Sequence, residues 1–387
     1  MQRTDGLCLL IIGAIAALIL LITVVASAAP NDGGQLFPVK SGQLVGYIDV
    51  NGTVMINPQF SDAKTFAEGL APAQDVDSGK WGYIDNTGKF IIQPQFNKAF
   101  PFSEGLAEVW TDSANSGYID AGGRLVAKGS GGFVREGLIR IRTKEKTIFT
   151  DKHGSVLLEV PDDAWQVGSG LFAFMKDGRM GFMDRSGKVV IRPEYHRVIY
   201  WDNQQFEERI TPVSIGPLDN SKYGFIDRNG NLVVGFEYDW AEQFFDGLAR
   251  VTKDGKDGFI NTAGEVVISP QYEEACHFSE GLAAVKVGGL WGFIDMKGRM
   301  VIAPKYLSRE WGSPMVFNEG LAAIRIKTGT GFINKAGEMV VPAIYRSVDD
   351  FEGGLARVGS IDNPSYINRR GEIVWFGDKQ DAAKEVQ

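Results

Sequence analysis

The chain has 387 residues, 44% of them hydrophobic and 23% charged, which is enough apolar surface for a core and argues against a disordered protein. A net charge of −8, with no Lys/Arg-dense stripe, argues against nucleic acid or an anionic membrane surface as partner. The 48 glycines and 11% aromatics are the composition of many short strands joined by tight turns.

In chain order, residues 1–29 come first. The run GLCLLIIGAIAALILLITVVASAA from Gly6 to Ala29 follows Arg3 and is too apolar for an ordinary core helix. Ala26-Ser27-Ala28 fits the small-x-small site of a cleaved signal peptide. The length is close to the roughly 20 residues that span a bilayer, so a retained anchor is the preferred of the two readings. Either one exports the remainder to a bacterial periplasm or cell surface, anchored or secreted, and leaves this segment as the sole membrane contact. No lipoprotein signature surrounds Cys8, and residues 30–44 read as a linker. The second cysteine, Cys276, has no exported partner for a disulfide. Beside His277 it resembles a nucleophile pair, yet adjacent strand residues point to opposite faces, which favours a buried structural thiol.

From residue 45 to 377 one unit recurs ten times. GYIDVNG at 46 returns as GYIDNTG at 82, GYIDAGG at 117, IFTDKHG at 148, GFMDRSG at 181 and GFIDRNG at 224. GFINTAG at 258, GFIDMKG at 292, GFINKAG at 331 and SYINRRG at 365 complete the series, with starts 31 to 43 residues apart. Gly-aromatic-Ile-Asp reads as a short strand. Asp-x-x-Gly reads as the reversal, in which the acid accepts a backbone N–H and the glycine takes positive φ. The predicted turn residues are therefore Asp49, Asp85, Asp120, Asp184, Asp227 and Asp295, with Gly52, Gly88, Gly123, Gly187, Gly230 and Gly298. Seven copies continue into an apolar run ending in Phe or Tyr, six with a nearby Pro that is expected to stop the returning strand. Gly-Leu-Ala-x-Val, as at 105–109 or 281–285, forms a third strand. The fold class is all-β: about ten antiparallel three-stranded meanders of some 35 residues. One unit cannot bury its own apolar face, so the units stack. Ten exceeds the usual four to eight propeller blades, which favours an open curved solenoid, with a closed propeller-like ring as the alternative. Weak copies between 117 and 222 mark a possible division, and residues 378–387 are a polar tail.

Trp-Gly-Tyr-Ile-Asp at 81–85 and Trp-Gly-Phe-Ile-Asp at 291–295 are each followed by Pro-x-aromatic and Glu-Gly-Leu-Ala. This pattern resembles the WG repeat, found mainly in bacterial proteins, over about residues 45 to 375. The tryptophan survives in two copies and is Val45, Ser116, Met180, Tyr223, Asp257, Thr330 or Pro364 elsewhere. The resemblance implies an interaction or scaffold module, often exported, and no catalytic residues.

Candidate chemistry is sparse. The repeated acid could pass for the carboxylate of an aspartic protease, but Asn261, Asn334 and Asn368 replace it in three copies. Asparagine keeps the turn-forming acceptor and loses the charge, so the pattern fits a turn. Glu68, Glu104, Glu280 and Glu319 precede Gly-Leu-Ala at a turn and could line an acidic stripe. Asp75-Val-Asp77-Ser-Gly79 opens like a calcium loop without its closing Glu. GSGG at 129 and KTGTG at 327 lack phosphate-loop order, and His153, His196 and His277 lack metal-ligand spacing. Trp201 and Trp311 lie in the two longest inserts and are the candidate binding residues. The expectation is a non-enzymatic exported scaffold, without cofactor or metal, that binds another protein or a cell-envelope polymer. A carbohydrate- or cell-wall-binding module is the alternative, and a glycan-active enzyme a more distant one.

Overall fold

The computed structural model describes residues 34–112, 115–129, 134–143, 145–160, 163–168, 170–198, 210–217, 220–309, 315–359 and 364–377. The predicted leader and the C-terminal tail lie outside them. The strands form ten small antiparallel sheets of three or four strands, each built from one continuous stretch of chain in simple meander order. These sheets are blades 1 to 10, running from the strand Phe37–Ser41 to the strand Ile373–Trp375. The presumed linker at 30–44 thus contributes the first strand of blade 1. Leu36-Phe37-Pro38-Val39 repeats the Leu70-Ala71-Pro72-Ala73 pattern of blade 2, with the alanines replaced by larger apolar residues that hide the match. The series of sheets continues without a break through the weak copies between 117 and 222.

Blade 2 shows how the sequence builds a unit. The strand Ala71–Gln74 pairs with Trp81–Ile84, which pairs with Phe90–Phe96, and Asp62–Ala63 adds a short first strand. The middle strand Trp81–Ile84 is buried throughout, because a neighbouring blade covers each of its faces. Between Trp81↔Phe96 and Tyr83↔Ile92 two residues of one strand face four of the other, an irregularity centred on Pro94. A proline here gives up no ladder hydrogen bond, so the strand runs through it rather than stopping as expected. The bulge also explains the glycine of Trp-Gly. A Cβ on Gly82 would lie 2.5 Å from the Ile92 carbonyl oxygen and 2.9 Å from the Pro94 nitrogen. All seven copies with the apolar-to-aromatic run carry this second register shift. Blades 3, 4 and 10 lack both the run and the shift.

The units close into a propeller-like ring, the alternative named above, and the open solenoid is set aside. Each Asp-x-x-Gly hairpin packs on the last strand of the preceding blade, the returning strand such as Val54–Phe60 or Phe90–Phe96. This is the third strand of its blade, the short first strand not being counted. A Cβ on Gly88 would meet Ile56, one on Gly123 would meet Ile92, and one on Gly337 would meet Ile302. The same contact joins the two ends, since a Cβ on Gly52 of blade 1 would lie 2.2 Å from the Val374 carbonyl oxygen of blade 10. The repeat aromatics report the same continuity. Tyr47 and Tyr83 donate to carbonyls of the next blade, at Lys64 and Phe100, and Tyr366 donates to Pro38 at 2.9 Å across the seam. Phe37, Val39, Ile48, Leu355 and Tyr366 form a shared core between blades 1 and 10. The physical reason is burial: an open array would leave this cluster in water at both ends.

Candidate functional site

The turn acids have the same geometry in all ten copies. Asp85 Oδ1 accepts the backbone N–H groups of Thr87 at 2.9 Å and Lys89 at 3.1 Å. Asp49, Asp120, Asp184, Asp227 and Asp295 accept from the residues two and four further on in the same way. Asn261, Asn334 and Asn368 do so through their amide oxygens. Gly52, Gly88, Gly123, Gly187, Gly230 and Gly298 close these turns with φ between 76° and 85°. The N–H of Arg124 is the main cause that holds the Asp120 carboxyl below the usual range, and the N–H of Arg299 does the same for Asp295. For Asp184 it is the Ser186 hydroxyl. At Asp85 burial pushes the value up, but the bonds from Thr87 and Lys89 outweigh it. These acids are engaged by backbone N–H groups, one in each blade around the ring.

The Glu-Gly turns join the blades. Glu68 and Gly69 have φ of 53° and 84°, a two-residue hairpin turn between Ala67 and Leu70 that asks for two left-handed residues. Glutamate is an uncommon choice there, and its carboxylate is used. Glu68 accepts the N–H of Gly105, the same turn position in blade 3, at 2.8 Å. Glu104 accepts from Glu136 and Gly137, Asp246 from Gly281, Glu280 from Gly320 and Glu319 from Gly354. Each of these carboxylates is directed along the ring to the next blade. At the seam the sequence changes: Gly353 stands at the position of Glu280 and Glu319, and its bare Cα lies against the Gln35 side chain.

Sequence reasoning missed a charged cluster between blades 7 and 8. Asp257 occupies the tryptophan position and is only 4% exposed. It pairs with Arg250 at 2.9 Å, accepts the Thr252 hydroxyl at 2.7 Å and the Ala275 N–H at 2.8 Å. Arg250 also pairs with Glu242. The available signal was a lone acid where two copies have Trp. Nearby, burial pushes the Cys276 thiol up to about 11, and His277 stacks on Phe245 with ring centres 4.1 Å apart while burial lowers its basicity. A thiol so protonated is a poor nucleophile.

Trp201 and Trp311 lie outside the described residues. Asp75 accepts the N–H and hydroxyl of Ser78 inside a hairpin turn. Among the described residues, no group of three or more His, Cys, Asp or Glu is placed to hold a metal. Among them, too, no helix is long and apolar enough to cross a membrane.

The surface is distinctive along the third strand of blades 2 to 10. Its first residues are exposed aliphatics, including Ile91, Leu125, Val156, Leu157, Val189, Leu232, Val266, Met300, Met339 and Ile373. Each lies on a strand that is last in its sheet, so apolar side chains and an unpaired backbone edge coincide around the ring.

A sequential ring of small β-meanders carrying this turn chemistry defines a repeat protein of the propeller-like class. The model of the WG containing repeat matches residues 46–77, 81–109, 180–204, 223–256, 258–291, 291–306 and 331–359, together just over half of the 387 residues. The chain belongs to this family. The longest gap between matches, residues 110–179, takes in the end of blade 3, all of blade 4 and the start of blade 5, and the bulge is missing in blades 3 and 4. No curated protein matches the chain. Among solved structures it is similar to the computationally designed Ika8 protein, at 12% identity over 79% of this chain and 98% of that one, with a TM-score of 0.36. BamB from Moraxella catarrhalis is 11% identical over 85% and 95%, with a TM-score of 0.36. Kluyveromyces lactis Hsv2p is 8% identical over 59% and 87%, with a TM-score of 0.33. Likeness at this level carries no functional argument.

Proposed function

We propose that the protein is a non-enzymatic scaffold, exported to the cell envelope, whose ring of blades binds another protein. The observation that supports this most is the coincidence of exposed aliphatic residues with unpaired strand edges on the third strands. Apolar surface of this kind is a mark of protein–protein contact sites. The acids repeated in the turns are occupied by backbone N–H groups, which agrees with a role in the framework rather than in chemistry. Affinity capture with the full-length chain from envelope extracts tests the reading. Recovery of one specific protein supports it, and enrichment of polysaccharide alone overturns it.

A further inference from the structure

We infer that residues 380–383 pair with the strand Phe37–Ser41 as the short leading strand that blade 1 otherwise lacks, so that the chain latches its own ring across the seam.

The other blades define the place for this strand. In blades 2, 3, 6, 7 and 8 the sheet opens with a leading strand that begins one residue after the third strand of the preceding blade ends. It covers the edge of the strand that follows: Ala63 faces Ala73, Ala99 faces Val109, Ala241 faces Val251 and Ala275 faces Val285. Ala73 stands three residues after Leu70, and its counterpart in blade 1 is Val39, three after Leu36. Blade 1 has only three strands, however, and Phe37–Ser41 is the end of its sheet. Among the described residues no strand lies beside that edge, and an uncovered edge is a template for pairing.

Spacing and charge name the occupant. Asp62-Ala63, Lys98-Ala99 and Glu274-Ala275 stand ten and eleven residues after the turn glycines Gly52, Gly88 and Gly264. The same count from Gly371 of blade 10 reaches Asp381-Ala382, which lies outside the described residues. Blade 10 lacks the bulge, but so does blade 4, and there Ala164, ten residues after Gly154, still faces Phe174 of blade 5, three after Leu171. In each of the three pairs the first residue is charged and exposed, and Ala99 and Ala275 are buried. Opposite Asp381 stands Lys40. The same two positions in blade 8 are Glu274 and Lys286, which face each other and pair at 2.6 Å. Opposite charges directly across an antiparallel pair favour that register. The backbone bonds follow from the repeat. The N–H groups of Glu273 and Cys276 donate to the carbonyls of Lys286 and Ala284, as those of Asn97 and Phe100 do to Trp110 and Glu108. In blade 1 the corresponding donors are Gln380 and Ala383, and the acceptors are Lys40 and Pro38. From the other side of the seam, Ala29 stands seven residues before Leu36, as Ala63 does before Leu70, but Ala28-Ala29 brings no charge to Lys40.

Hydrogen exchange of the full-length chain tests the latch without any variant. Corrected for intrinsic rates, the amides of Gln380 and Ala383 are expected to exchange at least about tenfold more slowly than that of Val386. Ala382→Glu places a charge where the other blades bury an alanine. It should abolish this protection and speed exchange in Phe37–Ser41, while Lys222–Asp227 is unchanged. Cross-linking identifies the occupant. With Cys8→Ser and Cys276→Ser as background, Lys40→Cys combined with Asp381→Cys should form an intramolecular disulfide in oxidised glutathione, detected by mass. Its rate should exceed by about tenfold or more those of Lys40→Cys with Val386→Cys and of Lys40→Cys with Ala28→Cys. Exchange at residues 380 and 383 as fast as at 386, equal cross-linking from positions 381 and 386, or faster cross-linking from position 28 would each overturn the assignment.

Discussion

At the residue scale, Asp85 and Gly88 act differently although they close one turn. The carboxylate of Asp85 serves as an acceptor for two backbone N–H groups, which an amide oxygen supplies equally in three other blades. Asp85→Asn should therefore fold with a melting temperature within a degree or two of the parent's, which a thermal melt followed by circular dichroism measures. Gly88 takes φ of 84°, and a Cβ there would come within 2.7 Å of the Ile56 side chain in blade 1. Gly88→Val combines an unfavourable backbone conformation with an inter-blade clash, and a loss of about 2 kcal/mol or more is expected in urea unfolding. Charge matters to the turn acids in another way. Asp85, Asp120, Asp151, Asp184, Asp227 and Asp295 have carboxyls held below their ordinary value in the folded state. A lowered folded value contributes stability that is complete above the unfolded value of about 3.9 and is lost as pH falls through the folded one. Stability should therefore drop below about pH 4. Replacing several of these acids by Asn should flatten that acid limb in melts taken between neutral and acid pH, and an unchanged limb would show that the turns are not its source.

At the scale of the element, part of each blade was legible in the sequence and part was not. The Asp-x-x-Gly hairpin is read correctly because all its hydrogen bonds close within four residues. Glycine before the aromatic and proline in the returning strand could be seen only to occur together. Their connection needs the register, in which Gly292 lies opposite the bulge at Pro304 and a Cβ would stand 2.4 Å from the Ile302 carbonyl oxygen. The use of Glu68 in an inter-blade bond was equally hidden, since its partner Gly105 is 37 residues away. The register makes an asymmetric prediction. Gly292→Ala must displace backbone and should cost about 2 kcal/mol or more, whereas Pro304→Ala removes only local rigidity and should cost about 0.5–1 kcal/mol. Urea unfolding of the two variants decides it, and equal losses would mean that the close approach is relieved by a small shift of the strand. Asp257 is the exception that proves informative within blade 7. At the tryptophan position Asp257 holds Arg250, which also pairs with Glu242, and Asp257→Ala leaves the Ala275 N–H unpaired and should cost about 1–3 kcal/mol.

At the scale of the whole molecule, ring closure was beyond the sequence because nothing local encodes it. Tyr366 and Pro38 are 328 residues apart, and Pro38 lies in the stretch read as a linker. The count of ten pointed to an open array, yet the seam repeats the contacts of every other junction with different residues. Phe37 meets Tyr366 edge-on at 6.1 Å, compared with 4.9 Å for Tyr83 and Phe102 inside the ring. The acid of the Glu-Gly clasp is replaced by Gly353 against Gln35. A closed ring couples its two ends, and an open one does not, which gives a direct measurement. Gly52→Ala places a methyl group where the Val374 carbonyl now sits, so it should loosen blade 10 as well as blade 1. Hydrogen exchange should accelerate together in the strands Phe37–Ser41 and Ser365–Asn368, while Lys222–Asp227 on the far side keeps its protection. If only the N-terminal strand responded, blades 1 and 10 would not share a core, and the array would be open after all.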